Sequence, residues 1–175
     1  FKKKMLQAKQ EYENTKEPKL LKKISKYDNI QMARKIALNS AYGAIGNQYF
    51  RYYSLAMAEA VTTSGQLSIR WIENKINDYM NDLMKTDNQD YVVASDTDSI
   101  YVTFGSLVDK FNPSSPIDFL NTIAKDKIEP YISKCYQELA TYTKAYQQKM
   151  EMSREVIADK GIWTAKKRYI LNVWD

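Results

Sequence analysis

The stretch "YVVASDTDSIYVTF", residues 91–104, sets two carboxylates, Asp96 and Asp98, inside an apolar and β-branched run. Its alternation predicts two strands, with the aspartates at the tip that joins them. Two like charges at one tip repel, and a divalent cation removes that penalty. Mg²⁺ binds one or two carboxylates and fills its shell with water and substrate phosphate oxygens. Val92, Val93, Ile100, Tyr101 and Val102 are expected to anchor the hairpin in a core, so that Asp98 and Asp96 sit on rigid elements. The pattern alone is weak: twelve Asp in 175 residues give about one Asp-x-Asp by chance, and a solvated turn uses the same residue types.

A second constellation is "KIALNSAYG", residues 35–43. On a helix Lys35, Asn39, Tyr42 and Gly46 fall within roughly 60° of one another. That face carries a fixed cation, an amide, an aromatic ring and a glycine that allows close approach, which a nucleoside triphosphate and a base pair both require. Lys35 suits phosphate, Asn39 phosphate or sugar, and Tyr42 sugar or a base edge. Ala37, Leu38, Ala41 and Ala44 lie on the other side and are expected to face a core. Arg34 falls on that apolar side and does not fit the division. An amphipathic helix with a merely wet polar stripe is the competing reading, but the nine-residue pattern is far more specific than Asp-x-Asp.

The elements that must position these residues follow from the rest of the chain. Residues 1–26 are rich in Lys, Gln and Glu, and Pro18 divides them into two short charged helices with solvated faces. Asp28 then reads as the N-cap of the helix carrying "KIALNSAYG", and residues 54–84 as a second long helix. "YFRYYS" between them reads as packing. "FNPSSP" is a loop, residues 117–149 return to helix with a bend at Pro130, and the chain closes in two strands turning near Asp159 to Gly161. Helices and hairpins in separate runs give an α+β class.

Composition bounds the chemistry. At 44% hydrophobic and 13% aromatic the chain can bury a core, and its +5 charge and pI near 9.0 favour a polyanionic partner such as nucleic acid. One cysteine and no histidine exclude a disulfide framework, a Cys/His zinc site and histidine acid/base catalysis, and fit a reducing compartment. Cys135 reads as a small buried helical side chain. No run reaches the roughly 18–20 apolar residues that span a bilayer, so no membrane partner is expected. Phe1 in place of an initiator Met suggests an internal segment of a longer protein.

These motifs resemble those of the family B (polymerase alpha-like) DNA polymerases: "KIALNSAYG" is similar to motif B, "DTDS" to motif C, in that family's order and with its intervening helix. "AKKRY", residues 165–169, resembles the family's K-K-R-Y element. The flanking "GAIGNQYFRYYSLAMAEAVTTSGQ" and "KGIWTAKKRYILNVWD" are most similar to the replicative polymerases of T4-like bacteriophages. The resemblance covers residues 28–175 and implies a palm, an antiparallel sheet with packed helices, plus the helical part of the fingers. Residues 1–50 would be the C-terminal part of the fingers with the nucleotide-binding helix, and 51–175 the palm, incomplete at both ends.

The implied activity is template-directed addition of dNTPs to a primer 3′-hydroxyl by a two-metal mechanism. Asp98 would ligate both Mg²⁺ ions and Asp96 would be an auxiliary acid. Lys35 and Asn39 would hold the triphosphate, Lys35 also serving as proton donor to pyrophosphate. Tyr42 would pack beside the nascent pair with Gly43 leaving it room. Lys167 and Tyr169, on one face of the last strand, would touch the minor groove of primer-template DNA, with Lys166 and Arg168 beside them. A sliding clamp and the host cytoplasm are implied partner and location. Two departures stand out: Ala94 and Ser95 precede "DTDS" where the family often has Tyr-Gly, and the motif A aspartate that a two-metal site needs is absent. The chain is therefore expected to be a truncated or split polymerase, inactive without its missing segments. Competing readings are a non-catalytic nucleic-acid-binding fragment and another metal-dependent Asp-x-Asp nucleotidyl or glycosyl transferase.

Overall fold

The computed structural model describes residues 1–165 and 167–174. It divides into two compact units, residues 1–62 and 63–175.

The first unit is built on a helical hairpin. Helix α1 (Lys2–Thr15) ends at Lys16, whose left-handed conformation lets its N–H return to the Tyr12 carbonyl. Helix α2 (Pro18–Ile45) opens on Pro18, whose fixed φ and missing N–H suit a first turn. Met5, Ala8 and Leu20 are buried between the two, and Phe1 packs on Tyr27. α2 runs unbroken through Asp28, which is therefore mid-helix and not an N-cap. No proline or glycine interrupts Lys19 to Tyr42, so propensity and the α1 contact carry the helix onward.

The two helices differ in length. α1 has 14 residues and α2 has 28, or about 21 Å against about 42 Å. The second half of α2 thus lacks a partner in this unit. Leu38 is 73% exposed and Ala37 and Ala41 are also exposed. Of the expected core face only Ala44 is half-buried. Tyr49, Phe50, Tyr52 and Tyr53 are likewise exposed, Phe50 packing edge-on to Tyr52, so this segment does not pack into an interior of its unit. Ser54 then caps helix α3 (Leu55–Met84) by accepting the Met57 N–H.

The second unit holds the main core. Ile72, Ile76 and Met80, at four-residue spacing on α3, are fully buried against Ile132, Cys135, Tyr136 and Leu139 of helix α6 (Glu129–Tyr142). The Trp71 indole donates to the Cys135 carbonyl and the Tyr131 hydroxyl to the Lys75 carbonyl. Helix α4 (Gly105–Phe111) and helix α5 (Pro116–Ile123) precede α6, and a π-helical turn, Ala124–Ile128, joins α5 to it. Pro130 lies two residues past that turn, in the first turn of α6; the widened register, with Glu129 N–H reaching the Ala124 carbonyl, accommodates a residue that cannot donate. Helix stops at Tyr142, earlier than residue 149, and Thr143 and Lys144 turn the chain out.

Two antiparallel hairpins complete this unit. β1 (Val92–Asp96) pairs with β2 (Ser99–Val102), and β3 (Ala158–Ala165) with β4 (Arg168–Val173), as separate two-stranded sheets. The class is α+β as the sequence predicts. The closing hairpin turns between Ala165 and Arg168, not at Asp159–Gly161, which lie within β3.

Candidate functional site

The carboxylate tip is fixed from below by α3. Asn77 accepts the N–H groups of Tyr91 and Val92 on Oδ1, at 2.8 and 3.2 Å, and donates to Asp90. Tyr91 and Val92 are buried, and Ile100 and Val102 pack on the same core. Val93, counted above as an anchor, is instead exposed: the register slips between Val92 and Ala94, and Val93 is the bulged residue that turns outward. Ala94 and Ser95 occupy ordinary strand backbone without positive φ, so no glycine-specific shape is needed there.

Asp96 pairs with Ser99, leaving Thr97 and Asp98 as the turn. Thr97 carries φ of 55°, a left-handed conformation costly for a β-branched residue. The Asp98 N–H closes the turn on the Asp96 carbonyl at 2.6 Å, and the Ser99 hydroxyl donates to the same carbonyl at 3.1 Å. The Thr97 hydroxyl donates to Asp96 Oδ1 at 3.0 Å. Asp96 is thus half-buried and oriented, whereas Asp98 is exposed and its carboxylate accepts no hydrogen bond among the described residues. Among these residues no three His, Cys, Asp or Glu side chains form a metal-binding group. The donor set nevertheless fits a hard cation such as Mg²⁺, which takes one or two carboxylates and keeps several waters.

In the first unit, Lys35 and Asn39 line one groove of about 300 Å³ together with Phe1, Gln31, Arg34 and Leu38. The Arg34 guanidinium stacks 4.5 Å from the Phe1 ring centroid. Gln31, Arg34, Lys35, Leu38 and Asn39 form one stripe at i, i+3, i+4, i+7 and i+8, so Arg34 joins the polar groove. A stripe drawn from Gln31 in place of Lys35 would have placed Arg34 there from the sequence. Tyr42 and Gly43 lie beyond the groove, exposed, and a Cβ built on Gly43 meets no atom within 4 Å.

The basic turn departs from expectation. Lys167 sits in the turn with φ of 63°, not on the strand, so it shares no strand face with Tyr169. Arg168 opens β4, exposed, and Tyr169 stands opposite Trp163. Lys166 lies outside the described residues.

Comparison with known proteins accounts for this combination of motifs. The family model for DNA polymerase family B matches residues 2–175. The chain is 44% identical over 159 residues to the DNA-directed DNA polymerase of Escherichia phage RB69, covering 83% of this chain and 18% of the relative. It is 42% identical over the same length to the DNA-directed DNA polymerase of Enterobacteria phage T4, with the same coverage. DNA polymerase 1 of Aeropyrum pernix is 33% identical over 76 residues, 43% of this chain and 7% of the relative. The chain therefore spans under a fifth of the length of its phage relatives.

Proposed function

As this chain belongs to DNA polymerase family B, we propose that it supplies the fingers and palm portion of a template-directed DNA polymerase. The observation that carries the reading is the tip itself: an oriented Asp96 and an exposed Asp98 whose carboxylate accepts no hydrogen bond among the described residues, held on a turn whose strands pack on the core of α3 and α6. Residues 1–50 act as the end of the fingers and 51–175 as palm. Primer-template DNA and dNTPs are the substrates, and the host cytoplasm, given phage relatives, is the place of action.

Asp98 and Asp96 would hold Mg²⁺, with a further carboxylate from polymerase sequence outside these 175 residues. Mg²⁺ held there would supply charge stabilisation for an in-line displacement at the α-phosphate. Lys35 binds the triphosphate as a cation fixed on a helix and gives a proton to departing pyrophosphate, with Asn39 orienting the same group. Arg34 adds a second positive charge to that groove. Tyr42 borders the nascent pair, and Gly43 keeps its side open. Lys167 and Arg168 meet the primer-template backbone with Lys166, and Tyr169 stands beside the minor groove.

The test is a chimera in which this chain replaces the matched stretch of the phage T4 relative. Mg²⁺-dependent dNTP incorporation on a primer-template is expected, with a loss of at least a hundredfold in Asp98→Asn. The chain alone should bind DNA with salt-dependent affinity and incorporate nothing. Incorporation by the isolated chain that survives Asp98→Asn would refute the assignment of the site. DNA binding without incorporation in every combination would favour a non-catalytic binding fragment.

A further inference from the structure

Tyr101 lies on β2, three residues past Asp98, and its ring joins the two hairpins, whose strands share no backbone pairing. It packs edge-on against Trp163, with ring centroids 5.3 Å apart and planes at 71°, and against Tyr169 at 5.5 Å and 60°. These are favourable aromatic geometries. Trp163 and Tyr169 are direct cross-strand partners and so share one face of the β3–β4 sheet. Gly161, two residues before Trp163, lies on that face as well.

A Cβ at Gly161 would fall 2.6 Å from the Trp163 ring and 2.8 Å from Leu171. Only glycine lets the indole lie along β3 in this position, which explains why a turn-forming residue sits inside a strand. Hydrogen bonding to Tyr169, together with burial, pushes the Tyr101 phenol above its ordinary value of 10.0.

We propose that Tyr101, Trp163 and Tyr169, seated by Gly161, form an aromatic clasp that fixes the spacing between the carboxylate turn and the basic turn. Tyr101 is then a positioning residue for polymerisation. It touches neither metal nor nucleotide and acts by holding Asp98 in register with DNA bound at Lys167 and Arg168. This role rests on the polymerase reading above.

Two measurements test it. Spin labels at Val93→Cys and Ile170→Cys, both exposed positions on opposite hairpins, in a Cys135→Ala background, report the distance between hairpins in the isolated chain. One narrow distance distribution is expected, broadened or shifted by Tyr101→Ala and by Gly161→Val and retained in Tyr101→Phe. A broad distribution without any clasp substitution overturns the clasp.

In the phage chimera, Tyr101→Ala and Trp163→Ala should each lower kcat about tenfold, since small misplacements at reacting centres are costly, whereas Tyr101→Phe, which keeps the ring contacts, should leave kcat near the unsubstituted value. The double alanine variant should be no worse than either, and primer-template Kd should stay within about twofold. Unchanged kcat in Tyr101→Ala, or a loss confined to DNA affinity, overturns the positioning role. A chimera that shows the narrow distance yet extends no primer overturns the polymerase reading, and the positioning role with it.

Discussion

Gly43 sets a cost in folding against the role proposed for it beside Tyr42. It lies inside α2 without positive φ, its surroundings are open, and glycine is about 1 kcal/mol worse than alanine in a helix interior. Nothing within its unit requires it. If its purpose is room for a base pair beside Tyr42, the two consequences of Gly43→Ala have opposite signs. Urea unfolding of the chain should show a gain of about 0.5–1 kcal/mol, while incorporation by the phage chimera should fall. Equal incorporation by Gly43→Ala would show that the space is not used. Thr97 makes the related point at the carboxylate tip. A β-branched residue is held at positive φ there and its hydroxyl donates to Asp96, so local strain coincides with a side-chain contact that orients a candidate site carboxylate.

Among the elements, α3 governs the site without contributing a reacting group. Asn77 is the sole described partner of the buried Tyr91 N–H and a shared partner of Val92, so Asn77→Ala leaves a backbone donor unpaired under the carboxylate hairpin. The expected cost is about 1–3 kcal/mol, read as a lower urea midpoint at unchanged slope. Removing the exposed Lys75–Glu138 ion pair should change the midpoint little. The α3–α6 seam also sets a pH dependence. Burial raises the Cys135 thiol above its ordinary 9.0 and raises the Tyr136 phenol. Both groups are neutral in the folded chain, and the unfolded chain loses those protons first. Their share of stability is therefore complete below the unfolded thiol value and declines as pH rises past it toward the folded values. Melting temperature should drop above about pH 9, less steeply in Cys135→Ala. A flat profile from pH 8 to 10 would contradict the burial of the thiol. The period-two hairpin at 91–104 and the long amphipathic α3 were legible in the sequence because each buries a regular face in its own unit. The terminal turn was misplaced because Asp-Lys-Gly carries turn chemistry, whereas Gly161 is needed for an indole two residues on. The outward face of α2 could not be read from periodicity, because α1 reaches only its first half.

For the whole molecule, burial is distributed very unequally between the two units. Of the fourteen buried hydrophobic residues described, Met5, Ala8 and Leu20 alone belong to residues 1–62. A fully buried large aliphatic contributes about 1.5–3 kcal/mol, and an alanine less. Against about 1–2 kcal/mol of backbone ordering per residue, so small a core leaves the first unit marginal. Its helices depend on intrinsic propensity and on the α1–α2 contact, whereas residues 63–175 have the continuous cluster of Ile72, Ile76, Met80, Ile132 and Leu139. The probes are conveniently separated. All three tryptophans, Trp71, Trp163 and Trp174, lie in the second unit, while far-ultraviolet circular dichroism reports helix throughout, including the 14 and 28 residues of α1 and α2. Unfolding in urea should therefore lose ellipticity at lower denaturant than it loses tryptophan fluorescence, a departure from two-state behaviour. Coincident curves would mean that the first unit draws stability from contacts beyond its own small core. In the phage chimera, where the chain rejoins a relative of which it spans 18%, the early loss of ellipticity should disappear if polymerase sequence covers the exposed side chains of α2, Ile36 and Leu38 among them. Its persistence there would leave those faces to a ligand, and the groove at Arg34, Lys35 and Asn39 makes a nucleoside triphosphate the first to try.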